Sequence, residues 1–259
     1  MSQAYPPYRS LLLSGMGSLW WYTRSMYKRI LLKLSGEQLQ GNQAGGFDTE
    51  RAKWIAGQVK PALEAGAQIV IMVGGGNYAR GAQLANDAIQ RVTGDNIGML
   101  GTMMNALALA DVFNCEGVAT RALTNIKVDQ VLDQFTHRRA MSHLEKNRVV
   151  VVAGGVGRPF LTTDTAAVNL ALELDCDAIV KTTKVDGIYD RDPAKFPDAR
   201  KYDSLTYQEA LANPEIAVMD KAALGLVLET RTPLVVCELL ADGNIARAIA
   251  GEPVGTTIS

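Results

Sequence analysis

The chain has 259 residues, 26 basic against 27 acidic, a formal net charge of −1 and 47% hydrophobic residues. That length fits one large α/β domain or two small ones, with enough apolar surface to bury a core without covalent staples. Balanced charge and the lack of any long Lys/Arg block give no basic footprint for nucleic acid and no field toward an anionic membrane.

The three cysteines, Cys115, Cys176 and Cys237, are far apart, odd in number and form no CxxC. Neither a disulfide framework nor a zinc site is expected, and a reducing cytoplasm fits. His137 and His143 lie in QFTHRRAMSH, a polar helix-like stretch, and read as solvated helix residues rather than a metal pair. No apolar run reaches membrane-spanning length. Residues 1–25 place Arg9 before a short apolar stretch broken by Ser and Gly, with no A-x-A site after it. They resemble a signal peptide only faintly. With Pro6, Pro7, Gly15 and Gly17 they read as an extension outside the fold, poorly ordered and dispensable. One domain is expected over 26–259.

Along that domain, short β-branched runs alternate with helical patterns. Strands are predicted over 29–34, 68–73, 118–123, 148–153, 178–181 and 234–239. Helices are predicted over 48–65, 95–115, 164–174, 206–212 and 220–230. Several open on Asp or Thr, which suit an N-cap, and Gly66 follows the first helix as a C′ residue should. Asp95 and Asp164 both read as such caps. The runs IVIMV and VVVVA are apolar without alternation, the mark of strands buried on both faces. A mainly parallel sheet between helical layers follows, with ligands expected at the carboxyl ends of its strands.

The glycines and cations fall at those ends. The first strand runs into Lys33-Leu34-Ser35-Gly36, and the second into Gly74-Gly75-Gly76-Asn77 with Arg80 one turn on. Later strands run into Gly154-Gly155-Val156-Gly157-Arg158-Pro159 and Lys181-Thr182-Thr183-Lys184. Glycines let a phosphate approach the backbone, and exposed N–H groups at a helix start bind it. Each turn alone could be an ordinary βα connection; together they suggest one polyanion site. The Walker pattern GxxxxGK[ST] is absent. Gly74-x-Gly76-x-x-Ala79 matches the dinucleotide fingerprint in form, with Asp95 near the distance of a ribose-binding acid. No apolar strand lies between Ala79 and Asp95, so that match is rejected.

The segments KRILLKLSGE, VGGGNYARG, RVTGDNIGMLGTMMN, GGVGRPFLTTDTAA, KTTKVDGIYDRDP and VMDKAAL, in this order from Tyr27 onward, resemble the UMP kinases of the amino acid kinase superfamily. The resemblance implies an α/β/α sandwich and transfer of the γ-phosphoryl group from ATP, with Mg²⁺, to UMP. It implies that Lys33, Leu34, Ser35, Gly36, Gly76 and Arg80 meet the ATP phosphates, and that Thr183, Tyr189 and Asp192 hold its adenosine. It assigns UMP to Gly75, Asp95 and the segment Val156, Gly157, Arg158, Pro159, Phe160, Leu161, Thr162 and Thr163. Asp164 and Asp220 would organise lysine and Mg²⁺, joining Lys33 and Arg80 as the catalytic set.

The family also implies a homohexamer inhibited by UTP and often activated by GTP. Arg121 and Arg148 match the expected GTP site, whereas Ala110, Asn114 and His137 stand where an arginine, a histidine and a tryptophan are expected. A hexamer with weak or absent GTP activation is therefore expected. Two rival readings remain. One is another kinase of the superfamily acting on a carboxylate or carbamate. The other is a nucleotide-binding regulator without turnover, against which the presence of Lys33, Arg80, Asp164 and Asp220 argues.

Overall fold

A computed structural model describes residues 27–213, 216 and 218–259. The expected extension over 1–25 lies outside the described residues. The first half of the chain runs β1 (Arg29–Leu34), α1 (Gly36–Leu39), α2 (Thr49–Glu64), β2 (Gln68–Val73), α3 (Gly81–Leu84), α4 (Arg91–Cys115), β3 (Thr120–Thr124), β4 (Asp133–Gln134), α5 (His137–Leu144) and β5 (Val149–Ala153). The second half runs α6 (Thr163–Glu173), β6 (Ala178–Thr183), β7 (Ile188–Tyr189), β8 (Lys201–Tyr202), β9 (Ser204–Leu205), α7 (Tyr207–Ala212), α8 (Lys221–Thr230), β10 (Leu234–Glu238), α9 (Asn244–Ile249) and β11 (Thr256–Ile258).

Nine strands form one sheet in the order β4-β3-β5-β2-β1-β6-β10-β11-β9. Every pairing in it is parallel except β10 with β11. β7 and β8 make a separate antiparallel pair. The two faces of β1 show why its sequence is apolar throughout. Ile30, Leu32 and Leu34 pack on one side with α2, α4 and α9. Leu31 packs on the other with α5, α6, α7 and α8. Both faces of the central strands are dry, and each fully buried Leu, Ile or Val contributes about 1.5–3 kcal/mol of transfer free energy. The architecture is the expected three-layer α/β/α sandwich.

Helix boundaries expose the local logic. Asp48 caps α2 as expected, accepting from Arg51 N–H at 3.0 Å, and Gly66 takes the left-handed φ of +94° just beyond it. Asp220 and Thr206 likewise cap α8 and α7. Two expected caps are corrected. α4 starts at Arg91, capped in backbone conformation by Gln90, so Asp95 sits inside the helix. α6 is capped by Thr162, whose hydroxyl accepts from Asp164 N–H at 3.0 Å. Both carboxylates are thereby left for other partners.

By length and composition α4 is apolar enough to cross a membrane, contrary to the expectation from the sequence. Half of its apolar stretch is buried inside the protein, and it packs against α2, β3 and β5. It also carries the fully buried Asn105, whose amide donates to Gly74 O at 2.7 Å and exchanges hydrogen bonds with the Asn77 amide at 2.7 and 2.9 Å. These contacts fit a core helix that fastens the turn after β2.

Candidate active site

The carboxyl ends of β1, β2, β5 and β6 lie side by side in the sheet. The turns after β1, β2 and β5 border a cleft of about 430 Å³, while the end of β6 and the turn after it border a separate cavity, so the four strand-end motifs do not share one cavity as expected. Lys33, near the end of β1, is 7% exposed. Its Nζ lies 2.6 Å from Asp164 Oδ1, while Lys181 Nζ, from β6, lies 2.7 Å from Asp164 Oδ2. The Lys181 ammonium donates to that second oxygen and also to Val218 O. The Lys33 contact is short yet off the line of a good hydrogen bond, so it acts as an ion pair. One largely buried carboxylate thus faces two ammonium groups, and the Asp220 carboxylate is close enough to act on Lys181 as well.

Burial alone would raise the Asp164 pKa, but Lys33 and Lys181 outweigh it and hold the carboxyl below its ordinary value. Burial pushes Lys181 down, against the pull of Asp164. Asp220 reinforces the start of α6 from the side. It accepts from the Thr162 hydroxyl, from the Thr165 hydroxyl at 2.8 and 2.9 Å, and from Ala223 N–H at 2.9 Å. Burial opposes these bonds, which nonetheless leave its pKa low.

Above this floor the backbone comes close to itself. A Cβ on Gly36 would stand 2.3 Å from Asn77 Oδ1 and 2.6 Å from Gly76 N, so no side chain fits where the turns after β1 and β2 meet. Gly154, at φ +82°, starts the turn after β5, and its N–H donates to the Thr102 hydroxyl at 2.7 Å. Arg80 pairs with Glu37, which also lies 3.7 Å from Lys184. Asp95 accepts from Phe160 N–H at 2.9 Å and from Arg91 Nε at 2.9 and 3.0 Å. The helix α4 is thus tied to the segment that follows β5.

Most of the residues expected at the site share this cleft. Lys33, Ser35, Gly36, Gly75, Gly76, Arg80, Asp95, Arg158, Leu161, Thr162 and Thr163 all line it. Thr183, Tyr189 and Asp192 line a separate cavity of about 350 Å³ at the end of β6. There the Tyr189 hydroxyl donates to Asp186 at 2.5 Å. Val156 borders a third hollow of about 240 Å³, on the α6 side. Leu34 is buried in the core and does not line the cleft; its carbonyl accepts from Gly74 N–H at 2.8 Å. Gly157, Pro159 and Phe160 complete the loop without lining these cavities. Lys181, Glu37 and Arg91 were absent from the expected set. Lys181 did carry a signal, as the first cation of a strand-end motif. Glu37 and Arg91 show their importance only through spatial partners.

Fold and site together describe an α/β protein with glycine turns and a buried lysine around a cleft at the carboxyl edge of a parallel sheet. The sequence pattern of the Amino acid kinase family matches residues 28–238. A uridylate kinase of Dichelobacter nodosus is 48% identical over 232 residues, covering 90% of this chain and 96% of that protein. The crystal structure of the UMP kinase of Bacillus anthracis superposes with a TM-score of 0.86 at 36% identity, covering 90% of this chain and 96% of that one. The UMP kinase structure of Ureaplasma parvum gives 0.83 at 30% identity, covering 92% and 100%. The chain belongs to the amino acid kinase family, within its uridylate kinase group.

The charge arrangement sets an acid dependence. Because the folded-state pKa of Asp164 is depressed, its contribution is present above the unfolded value, about pH 4. It is lost as pH falls through the lower folded value. Asp164→Asn should therefore destabilise the protein at pH 7, with a gap that narrows below about pH 4. Urea midpoints at pH 7 and pH 3.5 check this; a gap independent of pH contradicts it.

Proposed function

We propose that this protein transfers the γ-phosphoryl group of ATP to the phosphate of UMP, giving ADP and UDP for pyrimidine nucleotide synthesis. The observation that carries the reading is the Lys33–Asp164–Lys181 cluster, whose Lys33 lines a cleft bordered by glycine turns from several strands. Phosphoryl transfer passes through a loose transition state with charge spread over the equatorial oxygens. A protein serves it mainly by aligning donor and acceptor and by fixed positive charge. UMP's phosphate is already ionised, so no general base is required.

In this reading Lys33, Ser35, Gly36, Gly76 and Arg80 receive the ATP phosphates, with the backbone of Leu34 behind them. Arg80 then exchanges its Glu37 partner for phosphate. Thr183, Tyr189 and Asp192 receive the adenosine. Gly75, Asp95 and the segment 156–163 receive UMP, with the Asp95 carboxylate accepting from ribose hydroxyls. Asp164 holds Lys33 and Lys181 in place, and Asp220 holds the start of α6.

Mg²⁺ enters with ATP as part of the substrate and neutralises charge on its phosphates. The donor set fits a substrate-borne ion: both Asp164 oxygens already face lysines, and both Asp220 oxygens accept hydrogen bonds. No group of three or more His, Cys, Asp or Glu side chains suited to a metal occurs among the described residues. Asp164 and Asp220 would order the lysines and threonines around the ion rather than hold it directly.

Residues 26–259 constitute the catalytic domain in this account, supported by a family match that begins at residue 28. A cytoplasmic setting is supported by three free cysteines among the described residues. A homohexamer under UTP inhibition, with little response to GTP, follows from the same reading. For GTP the supporting observation is local. Asn114 is spent on its own helix end, donating to Ala110 O at 2.7 Å and accepting from Thr120 N–H at 2.9 Å. Ala110 offers no phosphate fork where an arginine is expected.

A coupled ADP-release assay tests the activity. UMP should support turnover, and glutamate, aspartate and carbamate should not; ADP release with one of these and not with UMP would assign a different kinase. Asp95→Asn should weaken UMP and spare ATP, by about 1.5–3 kcal/mol for charge-assisted bonds. Light scattering with UTP and GTP titrations tests assembly and control. A hexamer inhibited by UTP is expected, while a monomer, or several-fold activation by GTP, would contradict the proposal.

A further inference from the structure

Arg91 opens α4, and local physics does not favour a cation there. The amino end of a helix carries partial positive charge, so a guanidinium in the first turn opposes the helix dipole. Its i,i+4 pair with Asp95 runs cation first, the weaker order on a helix surface. Helix stability therefore does not account for the residue.

Its contacts account for it better. The Arg91 Nε donates to both Asp95 oxygens, at 2.9 and 3.0 Å. Its guanidinium carbon lies 5.4 Å from the centroid of the Phe160 ring. The Phe160 N–H donates to the same carboxylate at 2.9 Å. Phe160 holds a left-handed φ of +66° while 63% exposed. A bulky residue keeps that conformation only where its surroundings fix it. Arg91 and Asp95 both line the large cleft.

We propose that Arg91 is a positioning residue for the acceptor half of the cleft. It fixes the Asp95 carboxylate and stacks on the Phe160 ring, fastening the 156–163 segment to α4 in the shape that receives a nucleoside monophosphate. This role rests on the reading above, in which Asp95 and 156–163 meet UMP. Ordering the segment before the ligand arrives removes that cost from binding, so its loss weakens ground state and transition state alike. The planar fork and the stack are arginine properties that lysine shares only in charge.

Steady-state kinetics of Arg91→Ala test this, with the melting temperature as a control on folding. The KM for UMP should rise about tenfold, the scale of one charge-assisted hydrogen bond. The KM for ATP and kcat should stay unchanged. Arg91→Lys should recover part of the loss. An unchanged KM for UMP would overturn the inference, and so would a parallel rise for both substrates, which marks a general structural role. Wild-type turnover of UMP, measured alongside, separates the two failures: its absence removes the kinase reading itself, whereas its presence with an unaffected Arg91→Ala removes only the role of Arg91.

Discussion

The structure turns on one buried carboxylate facing two buried ammonium groups. Asp164 lies against Lys33 from the first strand and Lys181 from the sixth. As a stabilising device this is poor, since desolvating ions costs several kcal/mol each, and well-packed apolar residues often do as well. Removing one partner from such a group costs about 3–5 kcal/mol, because a charge is left stranded. Stability alone therefore does not account for the cluster; in the proposed function it holds Lys33, which lines the cleft, ready for an anionic substrate. The parallel sheet supplies the geometry: β1 and β6 are neighbours, with Lys33 directly opposite Lys181 in register.

Everything around the cluster keeps it open and in place. Thr162 takes over the capping of α6, which frees the Asp164 side chain for the lysines. Asp220 binds Thr162 and Thr165 and so joins the starts of α6 and α8. The Asn77–Asn105 amide pair fixes the turn after β2 from within the core. Glycines stand where backbones meet, as at Gly36 and Gly75. Local choices that look like ordinary caps and turns thus converge on the surroundings of one cleft, where the proposed function places the anionic substrates. The relation to uridylate kinases identifies which anions these are expected to be.

Much of this was legible in the sequence. The central strands announced themselves because burial on both faces demands unbroken apolar runs, as in β2 and β5. The glycine and cation motifs fell where the parallel topology brings strand ends together. Other features were hidden for physical reasons. Asp95 and Asp164 looked like helix caps because capping residues and ligand-facing acids share one chemistry. Only the fold shows which partner wins. β4, β7, β8 and β9 are two residues long and carry no periodicity. The partnership of Lys181 with Asp164 spans 17 residues and a helix, and that of Arg91 with Phe160 joins α4 to a distant loop. Such pairings depend on tertiary placement, which composition and spacing do not encode.

The central claim is that the ammonium groups held by Asp164 stabilise charge on the phosphoryl group as it moves. Turnover of Lys33→Ala with saturating ATP and UMP tests it most directly. By analogy with deleting one preorganised donor from an oxyanion site, kcat should fall ~10²–10³-fold, about 3–4 kcal/mol, in a protein that remains folded. A folded Lys33→Ala protein with wild-type kcat would contradict the account.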